Sequence, residues 1–326
     1  MNMRLPEARE QSAPSWLVWA ALWTVYIVWG STYLAIRVTV ETMPPLLAAS
    51  ARFFAAGGLM AVFLIVRKGR GALRVSKSEL AGAGLVGTLL LLGGNGIVMI
   101  AEQDVPSGLA SLLIASTPLW VVLLRYIAKE RVSAGTLVGV AAGFIGVALL
   151  VLPGDKPEGA PLLGMLFIIV AAFLWGTGSF LSKRVPMPKD PFVSTSLQML
   201  LGGLSLAVTG LILGEGSGIH FETFSGRSII ALSYLVVFGS LVAFTAYVWV
   251  LQHAPISKVA TYAFVNPVIA IFLGWIVLNE EVTHWILAGA GVIVASVAFI
   301  VRKESSPVPS KDVVESSTTA LAAADA

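Results

Sequence analysis

The chain alternates long apolar runs with short polar segments, and the apolar runs decide its fold class. Each run is about 20 residues long, which at 1.5 Å per residue in a helix matches the hydrocarbon thickness of a bilayer. Ten such runs predict an all-α membrane protein with ten transmembrane helices. The runs cover residues 16–37, 45–66, 80–101, 107–127, 133–152, 162–182, 191–213, 228–251, 256–278 and 283–301.

The composition agrees with this pattern, because 57% of the residues are hydrophobic, 12% are charged and the mean hydropathy is +0.88. Such a chain is not expected to form a water-soluble domain. The first run has no small-residue cleavage site behind it and is predicted to be a retained anchor. Residues 1–15 form a predicted cytoplasmic tail, and residues 304–326, rich in Ser, Thr, Ala and Pro, a predicted disordered cytoplasmic tail.

The basic residues are distributed unevenly between the two sets of loops. Most of the 21 lysines and arginines fall in alternate segments such as 67–77, 125–131 and 183–189, whereas acidic residues gather in the intervening loops. Because basic loops stay in the cytoplasm, this distribution predicts that both termini are cytoplasmic. The net charge of +3 then follows from the topology, and no nucleic-acid partner is needed to explain it.

The two halves of the chain repeat one another. The segment Trp29-Gly30-Ser31 recurs 146 positions later as Trp175-Gly176-Thr177, and other pairs follow at offsets of 146 to 150. Each unit holds five spans, an odd number, so the second copy enters the membrane from the opposite side. This predicts two inverted five-helix repeats, residues 16–152 and 162–303, as in many secondary transporters; a duplication kept for packing alone is the alternative. The further pairs are Arg37 and Lys183, Arg52 and Gln198, Gln103 and Gln252, Pro106 and Pro255, Pro118 and Pro267, and Glu130 and Glu280.

Three stretches carry a resemblance to a known family. They are YIVWGSTYLAIRVTVETMPPLLAASARFFAAGGLM in the first two spans, GGNGIVMIAEQDVPSGLASLL across the third and fourth, and ATYAFVNPVIAIFLGW in the ninth. In order and spacing they resemble the EamA branch of the drug/metabolite transporter superfamily, over roughly residues 16–302. The resemblance implies ten helices in two inverted units, a bacterial inner-membrane location, cytoplasmic termini and export of small metabolites or drugs through a central cavity. It does not imply a particular cargo.

Two charged residues stand out within or beside the spans. Arg52 lies well inside the second span, and because a lone guanidinium in lipid is costly it should face protein or water. It is a candidate for binding a cargo carboxylate or phosphate, or for a structural role with Glu102 or helix carbonyls as partners. Glu102, at the outer end of the third span, is a candidate proton carrier or gate contact, or an ordinary interfacial charge.

Aromatic and small polar residues on four of the spans are the main candidates for a cargo cavity. Ring faces with a few hydroxyl and amide groups suit amphiphilic organic solutes or cations, although Trp29 and Trp175 could instead only pack helix crossings. Asn95, in a glycine-rich stretch of the third span, is a further cavity candidate. The set comprises Trp29, Ser31, Thr32, Tyr33, Trp175, Thr177, Ser179, Tyr247, Thr261, Tyr262 and Asn266.

Prolines and small residues supply further candidates. Pro118 and Pro267 interrupt equivalent helices, so they are candidate hinges, or they only shape the bundle. Glycines spaced by four in the fifth span permit close helix contacts within the monomer, and a homodimer through such a face is the alternative.

Several chemistries are not expected. There is no Gly-x4-Gly-Lys-Ser/Thr segment for nucleotide hydrolysis, and the three histidines lie in loops or at span ends, where they suit neither zinc nor a hydrolase. We therefore predict a secondary transporter, not an enzyme, that exports small organic solutes by alternating access without a cofactor or metal. Its expected partners are the cargo and membrane lipid. An importer or bidirectional facilitator is the nearest alternative. A membrane scaffold or sensor is the alternative from another class, although the short loops leave little surface for partners.

Overall fold

A computed structural model describes residues 14–151, 161–254, 259 and 261–304. All regular structure in these ranges is helical, so the predicted all-α class is confirmed for the described part of the chain. Most of both predicted tails, Pro255 and the beginning of the ninth predicted span lie outside the described residues.

Nine long helices and one shorter helix, numbered α1 to α10 in chain order, lie in the described ranges. Nine of them are long and apolar enough to cross a membrane, and α9, with 17 described residues, is shorter. Large apolar side chains such as Phe63, Val66 and Ile212 are exposed, as expected for surfaces that face lipid. The helices are α1, Ser15–Val40; α2, Pro45–Lys68; α3, Lys77–Ala101; α4, Ser107–Ile127; α5, Ala134–Val151; α6, Leu162–Leu181; α7, Pro191–Ile212; α8, Gly226–Val250; α9, Tyr262–Leu278; and α10, His284–Glu304.

Two helices contain a π-helical segment at equivalent places. Thr88–Gly96 in α3 and Leu235–Val242 in α8 begin 147 positions apart, which is within the range of the repeat offsets. Both segments contain glycine, which weakens the helix, and a π turn accommodates an extra residue between backbone hydrogen bonds. The two interruptions therefore follow the internal repeat.

The two candidate hinge prolines occupy different local structures. Helix α4 is divided into Ser107–Ile114 and Thr117–Ile127, and Pro118 lies in the first turn of the second segment, where its missing N–H is tolerated. Pro267 instead lies inside α9, where it removes one backbone hydrogen bond from the helix. Equivalent positions in the sequence thus give a helix break in one copy and a proline within a continuous helix in the other.

Each helix packs against one or more others, and the loops between helices form the two ends of the bundle. Helix α2 packs against α7, α5 against α10, α1 against α8 and α9, α6 against α3 and α4, and α4 against α9. One end, called the basic end, is formed by the loops 69–76, 128–133 and 182–190, and there Lys68 pairs with Asp190. The other end, called the acidic end, is formed by the loops 41–44, 102–106, 213–225 and 279–283.

Helices α3 and α7 approach closely through a glycine, and a substitution there tests this packing. A Cβ on Gly87 would lie 2.5 Å from the Gln198 carbonyl oxygen and 3.0 Å from its Cα, whereas a Cβ on Gly58 in α2 would meet nothing within 4 Å. We expect Gly87→Ala to destabilise the protein by about 1–3 kcal/mol, because α7 backbone atoms must move. Gly58→Ala, the control, should be neutral or slightly stabilising. Unfolding in detergent, followed by circular dichroism, measures both; equal stabilities would contradict the contact.

Candidate functional site

Three aromatic rings from three helices meet in the bundle. Trp29 of α1 packs against Tyr247 of α8 and Tyr262 of α9, with ring centroids 5.0 and 5.2 Å away. The centroids of the two tyrosine rings are 5.7 Å apart, and the rings are almost perpendicular. Tilted and edge-to-face arrangements of this kind are the favoured ones for aromatic pairs. These three residues, called the aromatic cluster, combine ring surfaces with indole and hydroxyl groups that can bind a polar part of a solute.

Polar groups of α1 are bound to α8 at and beside its π-helical segment. The indole N–H of Trp29 donates to the carbonyl of Gly239 at 3.2 Å. The hydroxyl groups of Ser31 and Tyr234 form a hydrogen bond of 2.6 Å. Thr32 is buried, and its methyl group faces Gly239. Because the π segment departs from the regular helical hydrogen-bonding pattern, it is a common location for functional residues.

Arg52 of α2 reaches the same segment of α8 from another side. Its side chain is 6% exposed, and its Nε donates to the Ser240 hydroxyl at 2.9 Å. A longer contact of 3.5 Å joins Nη1 to the amide oxygen of Asn95, which lies in the π segment of α3. Both acceptors are neutral, and no carboxylate forms an ion pair with Arg52 among the described residues. The guanidinium is therefore a buried cation held by polar groups from both π segments.

Trp175 is placed on the other π segment and does not join the aromatic cluster. A Cβ on Gly94 of α3 would overlap the Trp175 ring, so only glycine leaves room for it there. Trp175 thus lies against the π segment of α3, as its counterpart Trp29 lies against the π segment of α8. Ser179, one turn further along α6, accepts a hydrogen bond through its carbonyl from the Ser182 hydroxyl.

Helices α1 and α9 are joined next to the aromatic cluster. The hydroxyl groups of Tyr26 and Thr261 form a short hydrogen bond. Asn266 is 8% exposed, and its amide nitrogen, oriented as the donor, lies 3.3 Å from the carbonyl of Tyr26 and 3.2 Å from that of Tyr262. Asn266 therefore bridges two backbones, which gives it a structural contact beside the cluster.

Glu102 lies apart from the cluster, at the acidic end. It follows the last residue of α3 and is 0% exposed, and neither of its carboxylate oxygens has a hydrogen-bond partner among the described residues. The guanidinium of Arg37 donates to the main-chain carbonyl of Glu102. Tyr33, which is partly buried, interacts electrostatically with the Glu102 carboxylate. These residues form a polar group around the buried carboxyl group where α3 and α4 meet α1.

The structure brings some of the predicted residues together and separates others. The α8 segment collects Trp29, Thr32, Arg52 and, through Arg52, Asn95. Trp175 and Ser179 lie on α6, and Glu102 and Tyr33 are grouped towards the acidic end. Three residues of this site, Tyr234, Gly239 and Ser240, were not predicted from sequence. The repeat offers one signal for them, since Ser240 lies 147 positions beyond Gly93 of the glycine-rich stretch.

Comparison with known proteins identifies the family. Residues 15–152 and residues 162–302 each match the EamA-like transporter family. The chain is 34% identical over 284 residues to the uncharacterized inner membrane transporter YedA of Escherichia coli K12, which covers 87% of this chain and 90% of that protein. It is 27% identical to the uncharacterized transporter YoaV of Bacillus subtilis, over 83% of this chain and 91% of the relative.

Two further similarities concern an efflux protein and a solved structure. The chain is 26% identical to a probable amino-acid metabolite efflux pump of Escherichia coli K12, over 82% of this chain and 89% of that protein. A crystal structure with 20% sequence identity has the same fold, with a TM-score of 0.61 over 88% of this chain and 98% of that one. With the family match over both halves and the apolar helices, these findings identify a multi-pass membrane transporter. The chain belongs to the EamA-like transporter family.

Proposed function

We propose that the protein is a secondary transporter that exports small organic solutes, such as amino-acid-like compounds or drugs, by alternating access. In this proposal its ten helices form two inverted five-helix repeats, residues 16–152 and 162–303, in the bacterial inner membrane. Both termini are cytoplasmic, and the cargo binds at the aromatic cluster. That cluster takes Trp29 from the first repeat and both tyrosines from the second, so a bound solute would contact both repeats.

The pairing of helices supports the two-repeat arrangement. Helix α2 packs against its counterpart α7, and α5 packs against its counterpart α10. Helix α1 packs against α8 and α9, and its counterpart α6 packs against α3 and α4, which are the counterparts of α8 and α9. A two-fold relation between the repeats requires this exchange of partners.

The observation that carries the proposal is the reciprocal placement of the two tryptophans of the repeated Trp-Gly motif. Trp29 of the first repeat lies on the π segment of α8 in the second, and Trp175 of the second lies on the π segment of α3 in the first. A π segment is a place where a helix bends or shifts its register. Two equivalent contacts between the repeats at such segments suit two bundles that rock against each other.

The orientation and direction rest on separate support. The basic end holds most of the basic loop residues, and such loops favour the cytoplasmic side. Helix α1 begins at Ser15 and α10 ends at Glu304, both on the side of the basic end, because an even number of spans returns the chain to the side on which it began. In this proposal both termini are therefore cytoplasmic. Export is supported by the similarity to a relative named as a probable amino-acid metabolite efflux pump.

Counterflow in proteoliposomes tests the proposal. Vesicles are loaded with unlabelled amino acids, nucleosides or cationic drugs, and uptake of the labelled compound is followed at two pH gradients. We expect saturable exchange of one chemical class, because a single cluster of rings and polar groups selects by shape and polarity. An exchange rate that is the same at both pH gradients would identify a facilitator.

Protein-free vesicles and unrelated labelled sugars serve as controls for leakage. Absence of exchange across the panel, from protein shown to be folded by circular dichroism and size-exclusion chromatography, would contradict the proposal and favour a scaffold or sensor. Vesicles with right-side-out and inside-out protein, separated by protease access to a terminal tag, then test the direction of transport.

A further inference from the structure

Glu102 is a buried acid that has no structural use in the described contacts. The side chain is 0% exposed, and neither carboxylate oxygen accepts a hydrogen bond from the part of the chain that the structure describes. In such a site the neutral carboxylic acid is much more stable than the carboxylate, because burying an ion without hydrogen-bond donors costs a large free energy of desolvation. The carboxyl group therefore favours the protonated form in this conformation.

The groups around Glu102 reinforce this preference. Glu280, in the α9–α10 turn, brings a second carboxylate near Glu102. This carboxylate accepts hydrogen bonds from the backbone N–H groups of Ser107 at 2.7 Å and Gly108 at 3.0 Å. These donors at the start of α4 stabilise the negative charge of Glu280. The proton is therefore expected on Glu102, whose oxygens have no donors.

The remaining elements around Glu102 contribute little compensation. From α1, Tyr33 presents a phenol and Arg37 a guanidinium that is bonded to the main-chain carbonyl of Glu102. Helix α2 carries Arg52, which is bonded to Ser240, and α6 has no titratable side chain. Burial first, and then the charge of Glu280, raise the pKa of Glu102 well above its ordinary value, and Arg37 offsets only part of this rise.

The same residues also link two loops of the acidic end. Glu280 connects the α9–α10 turn to the start of α4. Ser107 beside it is 0% exposed, and its hydroxyl has no hydrogen-bond partner in the described ranges. We propose that Glu102 is a proton-binding site whose occupancy holds the acidic end of the bundle closed. This inference rests on the alternating access of the proposed function. When the end opens, water solvates the carboxylate and the proton leaves to water on that side; on closing, the carboxylate takes a proton back.

The sign of the pH dependence follows from this linkage. The closed state binds the proton more tightly than the open state, so the closed state is favoured as the pH falls. Between the ordinary pKa of a glutamate, about 4.3, and the raised value, the ratio of open to closed protein should rise about tenfold per pH unit.

Accessibility of a single cysteine measures this ratio, since the chain contains no cysteine of its own. Ser107→Cys reports opening through its reaction with a membrane-impermeant maleimide. Each rate is divided by that of Ser217→Cys, an exposed position on the same end, which corrects for the chemistry of the reagent. With Glu102 present, we expect the corrected rate to rise about tenfold per pH unit. Glu102→Gln should abolish this dependence, whereas Asp104→Asn, at an exposed carboxylate two residues away, should preserve it.

A second measurement detects the protonated carboxyl group directly and needs no conformational change. Infrared spectroscopy of the protein at neutral pH should show the carbonyl band of a protonated carboxyl group without hydrogen bonds, and Glu102→Gln should lack it. Absence of that band from the unaltered protein, or a pH dependence of labelling that survives Glu102→Gln, would overturn the proposal. Neither readout requires cargo, so a failure of counterflow contradicts the proposed transport and leaves the proton site to be decided by these two measurements.

Discussion

Replacing Trp29 with alanine is expected to reduce solute exchange by about tenfold to a hundredfold while leaving folded protein in the membrane. The substitution removes two ring contacts, each worth about 0.5–1.5 kcal/mol, and a hydrogen bond to Gly239 worth about 1 kcal/mol. It also removes one of the contacts between α1 and the π segment of α8. Initial rates of counterflow at several cargo concentrations measure the loss as changes in maximal rate and KM.

The same helix offers a matched control for Trp29. Trp23 of α1 is 52% exposed, and its ring contacts Tyr26, which is not part of the aromatic cluster, so Trp23→Ala removes an indole of the same helix from outside the cluster. We expect its exchange to match that of the unaltered protein. Trp29→Phe, which keeps a ring but loses the N–H, should retain part of the activity. Unchanged kinetics in Trp29→Ala would exclude Trp29 from the cargo site.

The positions of the spans could be predicted from sequence because they depend mainly on one quantity, the length of apolar chain that crosses a bilayer. The predicted run 107–127 coincides with helix α4, and the run 45–66 ends two residues before α2 does. The ends are marked by polar residues and prolines, so hydropathy locates them well. Hydropathy does not reveal which side of a helix faces a neighbour.

The π-helical segments inside the spans could not be predicted from hydropathy. The π segment of α8, Leu235–Val242, is as apolar as an ordinary membrane helix, and only Gly239 and Ser240 distinguish it. Whether a residue bonds to the carbonyl four or five positions before it depends on packing against α1 and α2, which composition does not report. The break before Pro118 was anticipated only as a candidate hinge.

The candidate site could likewise be predicted only in part. Residue type and depth predict Trp29, Tyr247 and Tyr262 as cavity residues, and the three rings are in mutual contact. The same reasoning predicts Trp175, yet it lies on the π segment of α3. The repeat relates Trp29 to Trp175, but the residues around the two tryptophans differ. Tyr262 lies beside Trp29, whereas no such aromatic set lies beside Trp175 among the described residues. Side-chain contacts between distant helices require the fold.

Arg52→Gln is expected to change which solutes are exchanged. The buried guanidinium has neutral partners, Ser240 and Asn95, and a carboxylate on the cargo would supply the missing countercharge. A charged hydrogen bond is worth about 1.5–3 kcal/mol, so exchange of a solute that uses it should weaken about tenfold to a hundredfold. The comparison uses an aromatic amino acid and the amine that lacks its carboxylate; the variant should lose the acid selectively. The measurement is the ratio of KM values for the two compounds.

Two controls decide between recognition and structure for Arg52. Arg70→Gln removes an exposed cation near the basic end and should leave the ratio of KM values unchanged. Arg52→Lys keeps the charge but loses the planar fork that bonds to Ser240 and Asn95, so it should recover part of the preference for the acid. Equal loss of both compounds from folded Arg52→Gln protein would contradict carboxylate recognition. Failure of Arg52→Gln to fold, together with an Arg52→Lys protein that folds but exchanges both compounds equally weakly, would assign the residue to the joint between the two π segments.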